Sequence, residues 1–494
     1  MDSIRVILAY LGSIIDNVLG LIFFFLIRIY FNIQIIGLYG ELTSFLTLFS
    51  FIIDMGFATA YLKYYSEAKN DYEEELCNST FFFYRLIQFS LYTLVVVILI
   101  RFVDLYNFDP IITYYFILIY ILRVFGTIFI SIILISKKQI VKKSLALIIN
   151  SIFKIILLII FMNFFQLNIN LFANVLFISN LAFTILLIYW IKDIKFVKPN
   201  KIYLVKFLKF SLPFSITIAC SRIMESLDVL FVNLWFPIGD VANYFTAKEI
   251  YLFLNIFLVN IAYIFLPTFS KNFSNKKLEV NKNILKKLHK FLNIIMVPIP
   301  FILLIYSEPF FSAILGTNYI LSGTILTLLT FNLMIISLNY GNLVFLQSIG
   351  KVYLLGLFSI LNAIFFLFSM IFFMSPNFLN LGAIGASLAL IVSNCLIQLI
   401  FQPYIYKKYK IGFYWGVFRN LILIFIIFVF QLYINNILDI SFYIIPLFIL
   451  IDFLIYIALN YILKGFTKQD FKFIISLLKF KNIKKTIASE FKKI

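Results

Sequence analysis

The placement of lysine constrains this chain more tightly than any other feature. Nearly every lysine lies in a loop on one side of about fourteen apolar stretches, each of about twenty residues, the length that carries a helix across a bilayer. Lys137, Lys138, Lys142 and Lys143 crowd one such loop, Lys192 to Lys209 a second, Lys271 to Lys290 a third, Lys407 to Lys410 a fourth, and Lys464 to Lys493 the tail. Loops on the other side contribute Arg101 and little else. A chain threaded repeatedly through a membrane produces this pattern, because cationic loops stay on the cytoplasmic side. With 63% hydrophobic and 13% charged residues over 494 positions, the composition also excludes a soluble domain. The expected fold class is an all-α polytopic membrane protein.

Apolar windows run from Val6 to Ile29 through Phe442 to Leu463, and an even number of spans puts both termini on one side, the cytoplasmic one. The chain divides into 1–195 (spans one to six), 196–410 (seven to twelve), 411–465 (two more spans) and a tail, 466–494. Apolar Phe471, Ile474, Ile475 and Leu478 among the tail lysines read as an amphipathic helix on the inner leaflet. The opening stretch Met1 to Ile27 carries Asp16 and Asn17 in mid-run and no small-residue cleavage site, so it reads as the first span. A formal charge of +19 follows the topology, which makes anionic headgroups the expected partner and excludes nucleic acid. Cys77 in a cytoplasmic loop and Cys220 and Cys395 inside helices form no disulfide framework or metal set, and no cofactor is expected. His289, inside a lysine run, reads as a solvated loop side chain.

Charges at depth are a different matter, since each costs about 2.5 to 3.5 kcal/mol at a helix centre. Arg28, Arg85, Arg101 and Arg419 fall near span ends, where they can snorkel. Arg123, Lys154, Arg222 and Lys248 lie deep, and they are the candidate substrate-binding residues. The acids at depth are Asp16, Glu225, Asp228, Glu249 and, in an outer helix, Asp452; the first four are the candidate ion-coupling groups. On a helical wheel Ser211, Ser215, Arg222, Ser226 and Asn233 share a narrow arc, with Glu225 at its edge. That stripe either lines a cavity or reduces to a self-neutralising Arg222–Glu225 pair. Asp54-Met55-Gly56, near the cytoplasmic end of the second span, reads as a structural turn or helix contact rather than a proton site. Guanidinium and ammonium groups facing a cavity suit a phosphorylated or carboxylated substrate better than a cationic drug.

Ile36-Gly37-Leu38-Tyr39 opens the second span and Val241-Ala242-Asn243-Tyr244 the eighth, a parallel internal repeat. The stretch from Ile36-Gly37-Leu38-Tyr39 through Asp54-Met55-Gly56-Phe57 to Tyr61 resembles the opening of bacterial polysaccharide transporters. These are the O-antigen flippase (Wzx) type within the multidrug/oligosaccharidyl-lipid/polysaccharide (MOP) exporter superfamily. Ser211-Leu212-Pro213 through Asp228 to Tyr244, Ser307-Glu308-Pro309 through Leu315-Gly316 to Tyr319, and Gly382-Ala383-Ile384-Gly385-Ala386 are similar to the same family. Lys248-Glu249 departs from the small or uncharged residues expected there.

The resemblance implies two pseudo-symmetric six-helix lobes around a cavity, two further C-terminal helices, and no enzymatic activity. It implies a flippase that carries an undecaprenyl-diphosphate-linked oligosaccharide from the inner to the outer leaflet of the bacterial cytoplasmic membrane, by alternating access coupled to an ion. Polysaccharide polymerase or chain-length proteins are the implied partners. A drug or cation antiporter needs a net acidic cavity, and a membrane polymerase or ligase needs outer loops larger than Gln166 to Leu171 or Asn435 to Ser441.

Overall fold

The computed structural model describes residues 3–102, 110–137, 139–192, 194–263, 265–276, 278–437, 444–465 and 467. Among them there is no strand. Helix α1 spans Ser3–Tyr30, and the second span is broken into α2 (Ile33–Leu48), α3 (Phe51–Asp54) and α4 (Phe57–Glu67). Next come α5 (Asp71–Phe102), α6 (Pro110–Val124), a π turn (Phe125–Ile130), α7 (Ser131–Ser136), α8 (Ile140–Phe164) and α9 (Ile169–Trp190). Helices α10 (Lys201–Trp235) and α11 (Ile238–Tyr263) are followed by α12 (Leu266–Ser274), α13 (Leu278–Met296), α14 (Pro298–Leu315), α15 (Ile320–Ser337) and α16 (Tyr340–Ser348). The last four are α17 (Val352–Met374), α18 (Gly382–Tyr409), α19 (Gly416–Ile437) and α20 (Ile445–Ile462).

Thirteen of these stretches are long and apolar enough to cross a membrane. A fourteenth, Lys201–Leu212 with Ser215–Trp235, is bent by 52° at the short break between its two parts. The protein is therefore an all-α, multi-pass membrane protein. The expected tail helix lies outside the described residues.

The described residues pack as two compact units, one within Met1–Ile35 and Leu42–Ser226, the other within Ile36–Glu41 and Leu227–Ile475. In the first, Tyr61, Phe81, Phe129, Phe183 and Phe207 are buried in one apolar core. The Tyr61 hydroxyl donates to Asn78 Oδ1 at 2.7 Å and lies 2.8 Å from Ser136 Oγ, so the large ring brings its polar end to partners rather than to lipid. In the second, Tyr306, Ile424, Ile427 and Tyr456 belong to a core built from α13, α14, α19 and α20. The two repeated span openings meet inside this second unit: Tyr39 packs edge-on against Phe245 at 5.7 Å. A methyl group on Gly37 would lie 2.4 Å from the Ile238 carbonyl oxygen, and one on Gly40 2.7 Å from the Phe245 ring. Small residues let these backbones approach.

Four expectations are corrected. Lys271 lies in α12 and Lys282 to Lys290 in α13, rather than in one long loop, with a turn at Asn275-Lys276 after α12. His289 is not solvated; it is buried in α13, its Nε2 3.1 Å from Asn342 Oδ1. Cys77 is buried in α5 rather than placed in a loop. Arg28 and Arg85 do not snorkel: both are buried, Arg28 stacked 3.4 Å above the Phe24 ring and Arg85 fully enclosed. The reason in α5 is length. Its first turn carries Asp71, Glu73 and Glu74, so the helix starts well before the apolar window and Arg85 falls near its middle.

Candidate functional site

Each unit holds its own set of charged side chains inside the spans. In the first unit, Arg222 Nη1 and Glu225 Oε2 are 2.7 Å apart on α10, one turn from each other, with their side chains 33% and 43% exposed. A pair that open is screened by its surroundings and holds weakly. Asp54 and the Tyr120 phenol lie within electrostatic reach of the same guanidinium. Tyr120 stacks on Tyr92 at 5.8 Å, and Tyr92 is fixed by donating to the Leu46 carbonyl at 2.9 Å. The 52° bend falls between Ser211 and Ser215, so the polar stripe expected along α10 does not continue straight through that point.

Lys154 on α8 is half-buried, its Nζ 5.3 Å from the centre of the Phe23 ring. Asp16 on α1 accepts a hydrogen bond from Ser151 Oγ at 2.5 Å, and so ties α1 to α8. Arg123 is exposed at the end of α6, where the π turn begins, and its carbonyl accepts from Thr127 Oγ1 at 2.8 Å. Arg85 donates through Nη1 to the Ile53 carbonyl and, at 3.1 Å, to Gln88 Oε1.

In the second unit Lys248 is held by Asp228, Nζ to Oδ1 at 2.6 Å, with side chains only 7% and 1% exposed. Tyr244 donates to the other carboxylate oxygen at 2.8 Å. This pair is buried and mutually compensated, which is the condition under which two charges survive out of water. Glu249, next along α11 and about 100° round the helix, is half-buried. Asp452 on α20 accepts from the Tyr306 hydroxyl at 3.3 Å, and Tyr306 in turn takes the Gln431 amide.

Sequence reasoning missed Glu41. It is 1% exposed on α2, its Oε1 accepts from Asn233 Nδ2 at 2.7 Å, and its Oε2 is buried with no hydrogen bond among the described residues. The signal was an acid eight residues into a helix of mostly apolar and small residues. The structure thus joins Arg222 to Glu225 and Lys248 to Asp228. Among the described residues no three His, Cys, Asp or Glu side chains gather into a metal-binding group.

A family model described as "Polysaccharide biosynthesis protein" matches residues 5–273, more than half of the chain. The chain belongs to the polysaccharide biosynthesis protein family. Among solved structures, this family member is similar to the lipid II flippase MurJ in an inward closed conformation, with a TM-score of 0.71 at 17% identity, covering 92% of this chain and 98% of that one. It is also similar to an outward-facing MATE family multidrug resistance transporter of the MOP superfamily, with a TM-score of 0.59 at 14% identity, covering 83% and 96%. A MOP superfamily transporter from Pyrococcus furiosus, described as having a binding pocket of reversed polarity, matches with a TM-score of 0.58 at 14% identity over the same shares. No curated protein sequence matched. These likenesses give the polysaccharide biosynthesis protein a MOP-type transporter fold.

Proposed function

We propose that this protein is a flippase for a lipid-linked oligosaccharide, carrying an undecaprenyl-diphosphate-linked surface-glycan unit from the inner to the outer leaflet of the bacterial cytoplasmic membrane by alternating access, with both termini cytoplasmic. Family membership supports the glycan, and the transporter fold supports movement rather than synthesis. The observation that carries the substrate class is the Arg222 guanidinium, one-third exposed inside a span: it is a planar cation matched to phosphate oxygens. Lys154 and the exposed Arg123 would add positive charge for the diphosphate or for acidic sugars. Lys248, engaged by Asp228, would hold α11 to α10. Glu41, a buried carboxylate with an uncompensated oxygen, joins Asp16, Glu225, Asp228 and Glu249 as a candidate for ion coupling. A glycan polymerase or chain-length protein would act on the product at the outer leaflet.

Reconstitution in vesicles with a fluorescent undecaprenyl-diphosphate oligosaccharide tests the reading. Protein-dependent loss of leaflet asymmetry is the expected result, slowed about tenfold or more by Arg222→Gln, the loss of one charge-assisted contact. Uptake of cationic dyes in place of the glycan lipid would point to a drug antiporter instead.

A further inference from the structure

We propose that Asp54 and Arg85 are the two halves of an ion pair left open in this conformation, and that it closes, bending the second span, when a phosphate occupies Arg222. The proposal rests on the flippase reading above and concerns how ligand binding is turned into helix movement.

Arg85 is fully buried in the middle of α5. Both of its contacts to oxygen use Nη1, while Nε and Nη2 make no hydrogen bond to a described residue. Nε and Nη2 lie along one edge of the guanidinium, the parallel fork that matches the two oxygens of a carboxylate. An enclosed guanidinium with that fork empty is an unfavourable state, which a nearby carboxylate would relieve. Full enclosure leaves a freely diffusing anion no approach, so the occupant must come from the protein.

Asp54 is the residue after Ile53, whose carbonyl Arg85 already holds. Its backbone amide donates to the Ser50 carbonyl at 3.2 Å, while its carboxylate makes no hydrogen bond, and no ion pair within 4.0 Å, to a described residue. It lies within electrostatic reach of both Arg85 and Arg222. It also ends α3 at a joint: Met55 and Gly56 follow with φ of 36° and 74°, two consecutive left-handed residues between α3 and α4. A non-glycine residue held there is strained, and a modest dihedral change at the joint swings α4 against α3. A phosphate on Arg222 would replace Asp54 as the counter-charge in that field and repel it. The carboxylate then takes the open fork of Arg85, α3 turns with it, and release of the phosphate reverses the step.

The test uses full-length protein in nanodiscs with undecaprenyl diphosphate as the probe. In a background without native cysteines, spin labels at Gln34 and Glu67 report the distance between the two ends of the broken span. Wild type should shift its label distance on adding the probe; Asp54→Asn and Arg85→Gln should bind the probe without the shift. Arg85→Lys, which keeps the charge but lacks the fork, should also fail to shift. A full shift in Asp54→Asn would overturn the proposal. Glycan export in cells gives a second reading that needs no probe: each single variant should lose about tenfold, and the double variant no more than either, since losses within one pair are not additive. Additive losses would overturn the switch, whereas failure of wild type to bind the probe, with export losses still non-additive, would overturn the phosphate trigger and with it the flippase assignment of Arg222.

Discussion

Removing the Lys248 ammonium leaves the Asp228 carboxylate 1% exposed, with only the Tyr244 hydroxyl and the Val229 amide, among the described residues, donating to it. A buried charge stripped of its partner costs about 3–5 kcal/mol, whereas replacing both partners with neutral groups costs far less. Lys248→Met should therefore melt well below wild type in detergent. Adding Asp228→Asn, which keeps an acceptor for Tyr244, should recover most of that loss, and equal melting of the single and double variants would contradict the pairing. Glu41 gives the complementary case. Glu41→Gln retains an oxygen for Asn233 and removes the ionisable group, so probe binding should persist while transport stops responding to an imposed proton or sodium gradient. Depth and residue type were legible from the sequence at Arg222, where the neighbour at i+3 was the partner. At Lys248 depth was legible but the partner was not, because Asp228 sits on another helix, and at Arg85 depth itself was missed. An apolar window locates the lipid-facing part of a helix and not its ends, and the acidic first turn of α5 moved Arg85 from the edge to the middle.

Helix breaks set the geometry at the next scale, and they follow from local chemistry that hydropathy averages away. The second span is three helices joined at Phe49-Ser50 and at Met55-Gly56, and α15 and α16 are parted only at Leu338-Asn339. The turn at Asp54-Met55-Gly56 was expected, but nothing in the sequence of Phe125–Ile130 marks a π turn in advance. Close backbone approach is similarly hidden until partners are known. Gly37 faces the Ile238 carbonyl oxygen, which is backbone and cannot rotate away. Gly37→Val should thus force α2 from α11, lowering both membrane yield and melting temperature. Gly20→Val, where nothing lies within 4 Å of the added carbon, serves as the control and should leave both unchanged.

Orientation belongs to the whole molecule, because it is decided by the sum of loop charges rather than by any one of them. The described loops divide cleanly. Those at Phe31-Asn32, Phe236-Pro237, 165–168 and 375–381 hold no lysine or arginine, while those at Lys69, Lys137, Lys192, Lys276, Lys351 and Lys410 each hold at least one. Alternation of the two kinds along successive spans is what the sequence showed first, and the helix ends keep it. Two of the lysines counted as loop residues, Lys142 and Lys143, in fact lie within α8, and Lys142 is buried, so the charge reaches into the first turn of that span. An orientation held by so many separate loops should resist reversal by a single substitution. With the native cysteines replaced, a membrane-impermeant thiol reagent added to intact spheroplasts should label Asn168→Cys and Asn377→Cys. It should reach Lys276→Cys and Lys410→Cys only after lysis, and the opposite pattern would place the lysine-rich face outside. Neutralising Lys351 alone, as Lys351→Gln, should leave the labelling unchanged, since the remaining basic loops still outweigh it.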